Sequence, residues 1–280
     1  MKVKVASHSG FCFGVKRAIK IAQVTLRDSR HKRNIYSLNP IIHNPQVVSD
    51  LSKKGLKVQH DIKRIKSGTA IISSHGAPID VINRLKKRRV KVVDATCPFV
   101  KYAHDIVKNL RGQGYRVIIV GDKKHPEVKA LWSLAANRGN TRKLAFGQTR
   151  KHAEKRLAIV SQTTQIKDNY IKGVLGILNG DFSEVRIFNT ICNDTSHRQG
   201  LTRRILKECD VMIVVGGKNS ANTRRLWQIC KESGVDSYHI ERVDELKKRY
   251  FKGKRCAGVV SGASTPDETV KNVVTTVKKF

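Results

Sequence analysis

Short runs of apolar, mostly β-branched residues punctuate the chain, among them VIIV at 117–120, AIVS at 158–161 and VMIVV at 211–215. Between them lie longer stretches in which apolar positions recur every three to four residues. Runs too short for a buried helix, alternating with helical periodicity, predict an α/β fold built on mostly parallel sheets. Strands are expected at 2–6, 34–38, 57–59, 70–74, 90–94, 116–120, 143–146, 157–161, 185–189, 211–215, 237–240 and 256–261. Helices are expected at 15–26, 99–111, 168–178, 196–207, 222–233 and 266–279. Pro126 and Pro266 stand where first helical turns should begin, a position that suits the fixed φ of proline.

A weak repeat runs through this pattern. Cys12, Cys97 and Cys192, separated by 85 and 95 residues, each follow an expected strand and precede a helix. The repeat predicts three similar α/β modules, at 1–88, 89–183 and 184–280, each presenting one cysteine where a strand hands over to a helix. No Pro/Gly/Ser-rich linker separates them.

That placement gives three of the six cysteines a chemical reading. A helix N-terminus favours a thiolate, and parallel α/β sheets place ligand sites at the C-terminal ends of their strands. Three such thiolates would suit an iron–sulfur cluster with one iron left open, or a Cys3His zinc site, and three unrelated buried thiols would account for them as well. Cys209, Cys230 and Cys256 lie in or against apolar runs and read as buried core thiols. There is no C-x-x-C pair, and the N-terminal MKVKVASHSG lacks the apolar core of a secretion signal, which argues against disulfides.

Composition changes the picture in one respect. The 280 residues include 56 Lys+Arg and 22 Asp+Glu, a formal net charge of +34. Such a charge raises nucleic acid as a partner, but the excess is spread along the whole chain. With 6% aromatic residues and no recognition motif, no specific nucleic acid is expected. An apolar share of 39%, in short runs, is ample for a core and excludes a membrane-spanning helix.

The polar residues after the expected strands matter more. They are His43 in HNPQVV, His75 in SSHG, His125 and Glu127 in HPEV, and Thr163 and Thr164 in SQTT. Ser220 and Asn222 in GGKNSAN and Ser264 in GASTPD complete the set. Singly, each reads as a helix cap. Together, neutral donors and imidazoles at helix N-termini suit a phosphate or diphosphate. Neither a P-loop nor a dinucleotide fingerprint is present.

Taken in order, GFCFGVKRA, HNPQVV, SSHG, DATCP, HPEV, SQTT, TICNDTSHRQ, GGKNSAN and GASTPD closely resemble the 4-hydroxy-3-methylbut-2-enyl diphosphate reductase family, from about residue 9 to the end. The resemblance implies a pseudo-threefold trefoil of three α/β modules around a central cluster cavity. It implies one [4Fe–4S] cluster per subunit, held by Cys12, Cys97 and Cys192, with the unique iron taking the substrate's terminal oxygen. His43, His75, Ser220, Asn222 and Ser264 would hold the diphosphate of the small-molecule substrate, with His125 near the same ligand. Glu127 and Thr163 would relay protons to the departing hydroxyl, with Thr164 alongside. The implied reaction is a two-electron, two-proton reductive dehydroxylation to isopentenyl and dimethylallyl diphosphates. It would draw electrons from a ferredoxin or flavodoxin, in the cytoplasm and away from any membrane. A quinolinate-synthase-like enzyme would share the three cysteines but not the Ser220/Asn222/Ser264 pocket.

Two departures from the family pattern stand out. Ala221 occupies a substrate-binding position where a second serine is usual, at a cost of about 1.5–3 kcal/mol if nothing replaces the bond. Asp194, two residues after Cys192, puts a carboxylate where a small neutral residue is usual, which would weaken cluster or anion binding unless it caps the helix.

Overall fold

The computed structural model describes residues 1–28, 34–136 and 156–280. The strand expected at 143–146 lies outside these residues, as do His31 and His152. The elements run β1 (Lys2–Val5), α1 (Phe13–Arg27), β2 (Ile35–Leu38), α2 (Pro45–Lys53), β3 (Lys57–Gln59), β4 (Thr69–Ile72), α3 (Ile79–Lys87) and β5 (Lys91–Asp94). They continue with α4 (Pro98–Gly112), β6 (Arg116–Val120), α5 (Pro126–Ala135), β7 (Arg156–Ser161), α6 (Lys167–Leu178) and β8 (Glu184–Phe188). The last third holds α7 (Asn193–Leu206), β9 (Val211–Val215), α8 (Ala221–Glu232), β10 (Asp236–Ile240), β11 (Cys256–Ser261) and α9 (Asp267–Lys278).

The strands form three sheets, ordered β1-β11-β9-β10, β3-β2-β4-β5 and β6-β7-β8. Every pairing is parallel. The α/β class with three small parallel sheets is the one the hydrophobic pattern predicts. Central strands are buried on both faces and read as unbroken apolar runs: VMIVV in β9, TAII in β4, CAGVVS in β11. The strands at the sheet edges carry charge (KVKV, KVQ, KVVD, EVRIF), which blunts edge-to-edge association.

Sheet membership does not follow the 1–88, 89–183 and 184–280 segments strand for strand. β1 joins the last strands of the chain through the register Lys2↔Cys256 to Val5↔Val259. β5 pairs with β4, and β8 with β7. Periodicity identifies a strand but carries no information about its hydrogen-bonded neighbour. The result has its own regularity: each of β1, β5 and β8 is an edge strand, and each leads directly to one of the three cysteines.

The contacts divide the chain into two compact units, one of Met1–Lys16, Ile42–Asp50 and Cys192–Phe280, the other of Arg17–Ile41 and Leu51–Ile191. In the first, α9 presses Val270, Val273 and Val277 against Val211, Ile213, Val215 and Val259. In the second, Val107 and Leu110 of α4 and Leu131 of α5 pack on one face of β6-β7-β8, and Tyr170 and Val174 of α6 on the other. No helix among the described residues is long and apolar enough to cross a membrane. Replacing fully buried Ile213 with Ala should cost roughly 2–4 kcal/mol of unfolding free energy in urea titrations. Val5→Ala, at the 39% exposed edge strand, should cost under about 1 kcal/mol.

Candidate active site

Each cysteine ends its strand-to-helix turn in the same way. The carbonyl oxygens of Cys12, Cys97 and Cys192 accept the first helical hydrogen bond, from Lys16, Lys101 and Ser196 at 2.9, 2.9 and 3.0 Å. All three therefore stand at N-cap positions, and the Cys12 sulfur also accepts from the Val15 amide at 3.4 Å. Three residues before Cys97, Asp94 Oδ1 accepts from the Thr96 amide at 2.9 Å; three before Cys192, Asn189 Oδ1 accepts from the Ile191 amide at 3.2 Å. The same short turn thus delivers both thiols to a helix N-terminus. None of the six cysteines is in a disulfide, and these three are half-buried while Cys209, Cys230 and Cys256 are buried.

Helix amides do not decide the charge of Cys97. Burial pushes its thiol above the ordinary value, against the amides of Phe99 and Val100, and Glu127 adds to the rise. A bound cation would supply the missing positive charge there, and a thiol of this kind is a suitable ligand for iron or zinc.

The first unit carries His43, Ser220, Ala221, Asn222 and Ser264 beside the Cys12 and Cys192 turns. Ser220 caps α8 by accepting from the Thr223 amide at 3.3 Å. Asn222 Oδ1 accepts from the Ala263 amide at 3.2 Å, and its Nδ2 donates to Thr195 Oγ1 at 3.3 Å, which leaves a second amide hydrogen for a ligand. Ser264 donates to the His43 carbonyl at 3.1 Å. Gly217 faces that same carbonyl so closely that a Cβ would collide with it, which fixes glycine at this position. Burial, then the charge of Arg224, lowers the His43 pKa to about 4, so its ring is neutral at pH 7. Ala221 is buried at the first turn of α8, where it offers a backbone amide but no hydroxyl.

Asp194 departs from the expectation attached to it. It caps nothing; its Oδ2 accepts from Arg198 Nε at 2.8 Å, one helical turn on, and its Oδ1 lies 2.6 Å from His8 Nε2. Burial raises its pKa, but Arg198 and then His8 outweigh burial and hold the carboxyl below its ordinary value. Its charge is therefore matched inside the turn. Arg198, 2% exposed, also donates to the carbonyls of His8, Ser261 and Gly10 at 3.3, 3.1 and 2.9 Å respectively. One guanidinium thus ties the loop before Cys12, the end of β11 and the helix after Cys192. The sequence reading missed Arg198 and Thr195; the helical spacing of Asp194 and Arg198 was the available signal.

The second unit carries Cys97, His75, His125, Glu127, Thr163 and Thr164. The Cys97 amide donates to the Ser74 carbonyl at 3.0 Å, joining its turn to the SSHG turn. Gly76 there has φ +78° and lies against the His104 ring, so a side chain would be both strained and obstructed. His75 and His125 meet edge to face at 5.3 Å. His125 caps α5: its Nδ1 accepts from the Glu127 amide at 3.2 Å, which assigns the ring proton to Nε2. Thr164 Oγ1 accepts from Gln162 Nε2 at 2.9 Å.

Glu127, 1% exposed, turns away from the helix amides toward Thr163. Oε1 accepts from the Thr163 amide at 2.6 Å, and Oε2 from Thr163 Oγ1 at 2.9 Å. Burial raises its pKa from 4.5 to about 7, against the pull of those two bonds. Such a group can hold or release a proton near neutral pH.

A family model described as LytB protein matches residues 3–278. The 4-hydroxy-3-methylbut-2-enyl diphosphate reductase of Aquifex aeolicus is 43% identical over 281 residues, covering 99% of this chain and 96% of that protein. The reductase of the same name from Syntrophotalea carbinolica is 44% identical over 276 residues, with 98% and 97% covered. A solved structure of this reductase, described as the terminal enzyme of the non-mevalonate pathway, aligns over 100% of both chains at 43% identity and TM-score 0.69. The Plasmodium falciparum reductase aligns over 98% of this chain and 87% of its own, at 27% identity and TM-score 0.87.

Two measurements check this geometry. The folded protein keeps the Glu127 proton to about pH 7, whereas the unfolded chain releases it near 4.5. Glu127 therefore makes the protein less stable as pH rises from 4.5 through 7, by on the order of 3 kcal/mol in total. Because His43, kept neutral by burial, adds stability over much of the same range, the check is a difference between proteins: relative to the parent, Glu127→Gln should gain stability in urea titrations as pH rises from 4.5 through 7. Arg198→Leu removes a buried guanidinium and leaves a half-buried carboxylate and three carbonyls short of a donor, and should cost about 3 kcal/mol in the same assay.

Proposed function

The chain belongs to the LytB protein family, and from that premise we propose that it is a 4-hydroxy-3-methylbut-2-enyl diphosphate reductase. The reaction replaces the allylic hydroxyl with hydrogen, using two electrons and two protons, and releases water with isopentenyl and dimethylallyl diphosphates. The observation that carries the mechanism is the buried Glu127–Thr163 pair.

In this reading Cys12, Cys97 and Cys192 hold one [4Fe–4S] cluster. When bound, the cluster supplies single electrons and Lewis acidity at an open iron. His43, Ser220, Asn222 and Ser264 bind the diphosphate together with the backbone amides at Ala221 and Asn222, and His75 and His125 add imidazole donors. Neutral donors at a helix N-terminus bind the anion without a salt bridge that would hold the product. When protonated, Glu127 turns its O–H toward Thr163 Oγ1, reversing that hydrogen bond, and the threonine's own hydroxyl proton passes to the departing hydroxyl, with Thr164 fixed by Gln162 beside it. A small electron-transfer protein, a ferredoxin or flavodoxin, and a cytoplasmic location complete the reading.

The test is anaerobic reconstitution with iron and sulfide, followed by turnover of the allylic diphosphate with a chemical electron donor. Glu127→Gln should lower kcat at least about 100-fold while leaving iron content and the visible spectrum unchanged. In the parent protein, kcat should fall as pH rises above about 7, because the acid is then ionised. A fully loaded protein without turnover would overturn the activity. A Glu127→Gln variant with normal turnover would overturn the proton path alone.

A further inference from the structure

Two of the thiols that read as core residues are neighbours. Cys209 Sγ and Cys256 Sγ lie 3.1 Å apart, far from each other in sequence but both at the N-terminal edge of the β1-β11-β9-β10 sheet. Their backbones are fixed by three hydrogen bonds. The Asp210 amide donates to the Cys256 carbonyl at 2.9 Å, and the amides of Arg255 and Cys256 both donate to Asp210 Oδ2 at 2.9 Å. The sulfurs are therefore held in place by the sheet and need close only by about 1 Å to reach bonding distance. They are 7% and 9% exposed, less enclosed than Cys230 at 0%, and the charges around them are largely paired, Lys4 with Glu208 and Lys254 with Asp236.

We propose that Cys209 and Cys256 are a redox-sensitive dithiol, closed to a disulfide by exchange with an oxidised low-molecular-weight thiol. One cysteine thiolate attacks the small disulfide, forms a mixed disulfide and releases one small thiol. The second cysteine, as its thiolate, attacks the cysteine sulfur of that mixed disulfide and releases the other. Two cysteine thiols are oxidised, one small disulfide is reduced to two thiols, and the two protons go to the leaving thiolates. Oxidised glutathione is the small disulfide used to probe this exchange. Burial and the neighbouring Cys256 push the Cys209 pKa up to about 12, so closure is slow and follows sustained oxidation. The bond staples the starts of β9 and β11. The Ser261–Ser264 turn lies at the other end of β11, about 17 Å along the strand, and is left unchanged.

The test uses the anaerobic holoenzyme, titrated with mixtures of reduced and oxidised glutathione, alkylated, digested and mapped by mass spectrometry. The expected product is a peptide pair joined through Cys209 and Cys256, two hydrogens lighter than its reduced parts, while Cys230 stays alkylated as a thiol. The midpoint of thermal unfolding should rise by roughly 5 °C and return with dithiothreitol. Cys209→Ala and Cys256→Ala should each abolish the shift. If both thiols stay reduced at every ratio, or carry only glutathione adducts, the proposal is overturned. The peptide map decides this in the parent protein, without needing the variants to fold or the enzyme to turn over.

Discussion

Parallel pairing is the constraint on which the rest depends. A strand that must re-enter a sheet in the same direction has to cross over, and a helix makes the crossing. Among the described strands all but β3 and β10, which run into short 3-10 turns, then lead to a helix N-terminus on the same edge of their sheet. Unspent amides and the positive end of the dipole gather there, and anything that binds an anion or a thiolate's metal is best placed there. Ser220, His125 and the three N-cap cysteines each stand at such a helix start, where the pairing gathers free donors.

Electrostatics in these turns works by neutrality more than by charge. His43 is kept uncharged by burial, and Glu127 is poised near neutrality. Asp194 is offset by Arg198 and His8. The formal charge of +34 is spread along the chain, and its long-range field fades with salt.

Much of this was legible in the sequence, and the reasons differ by element. VMIVV and TAII announce buried parallel strands because both faces must be apolar. Cys97 and Cys192 are conspicuous because each follows an Asx turn at the end of a strand. The pairing of β1 with β11 was not legible, since nothing in KVKV names its partner. Nor was the raised thiol of Cys97, where burial outweighs the helix dipole. The role of Arg198 was hidden for a related reason: three of its partners are backbone carbonyls, which leave no mark on side-chain pattern. Cys209 and Cys256 looked like independent core residues because only the sheet brings them together.

The pairing of the first strand with the last has a consequence for biosynthesis. β1 is hydrogen-bonded to β11, and the Cys12 amide to the carbonyl of Ala263 at 3.0 Å. While the chain is being made, the Cys12 turn must wait for β11 and Ala263, about 250 residues later in the sequence. The other two sheets draw on contiguous stretches and can form as they appear. The Cys12 turn is thus the last of the three to acquire its native shape. A chain that stopped short of β11 would therefore lack the partner that shapes the Cys12 turn.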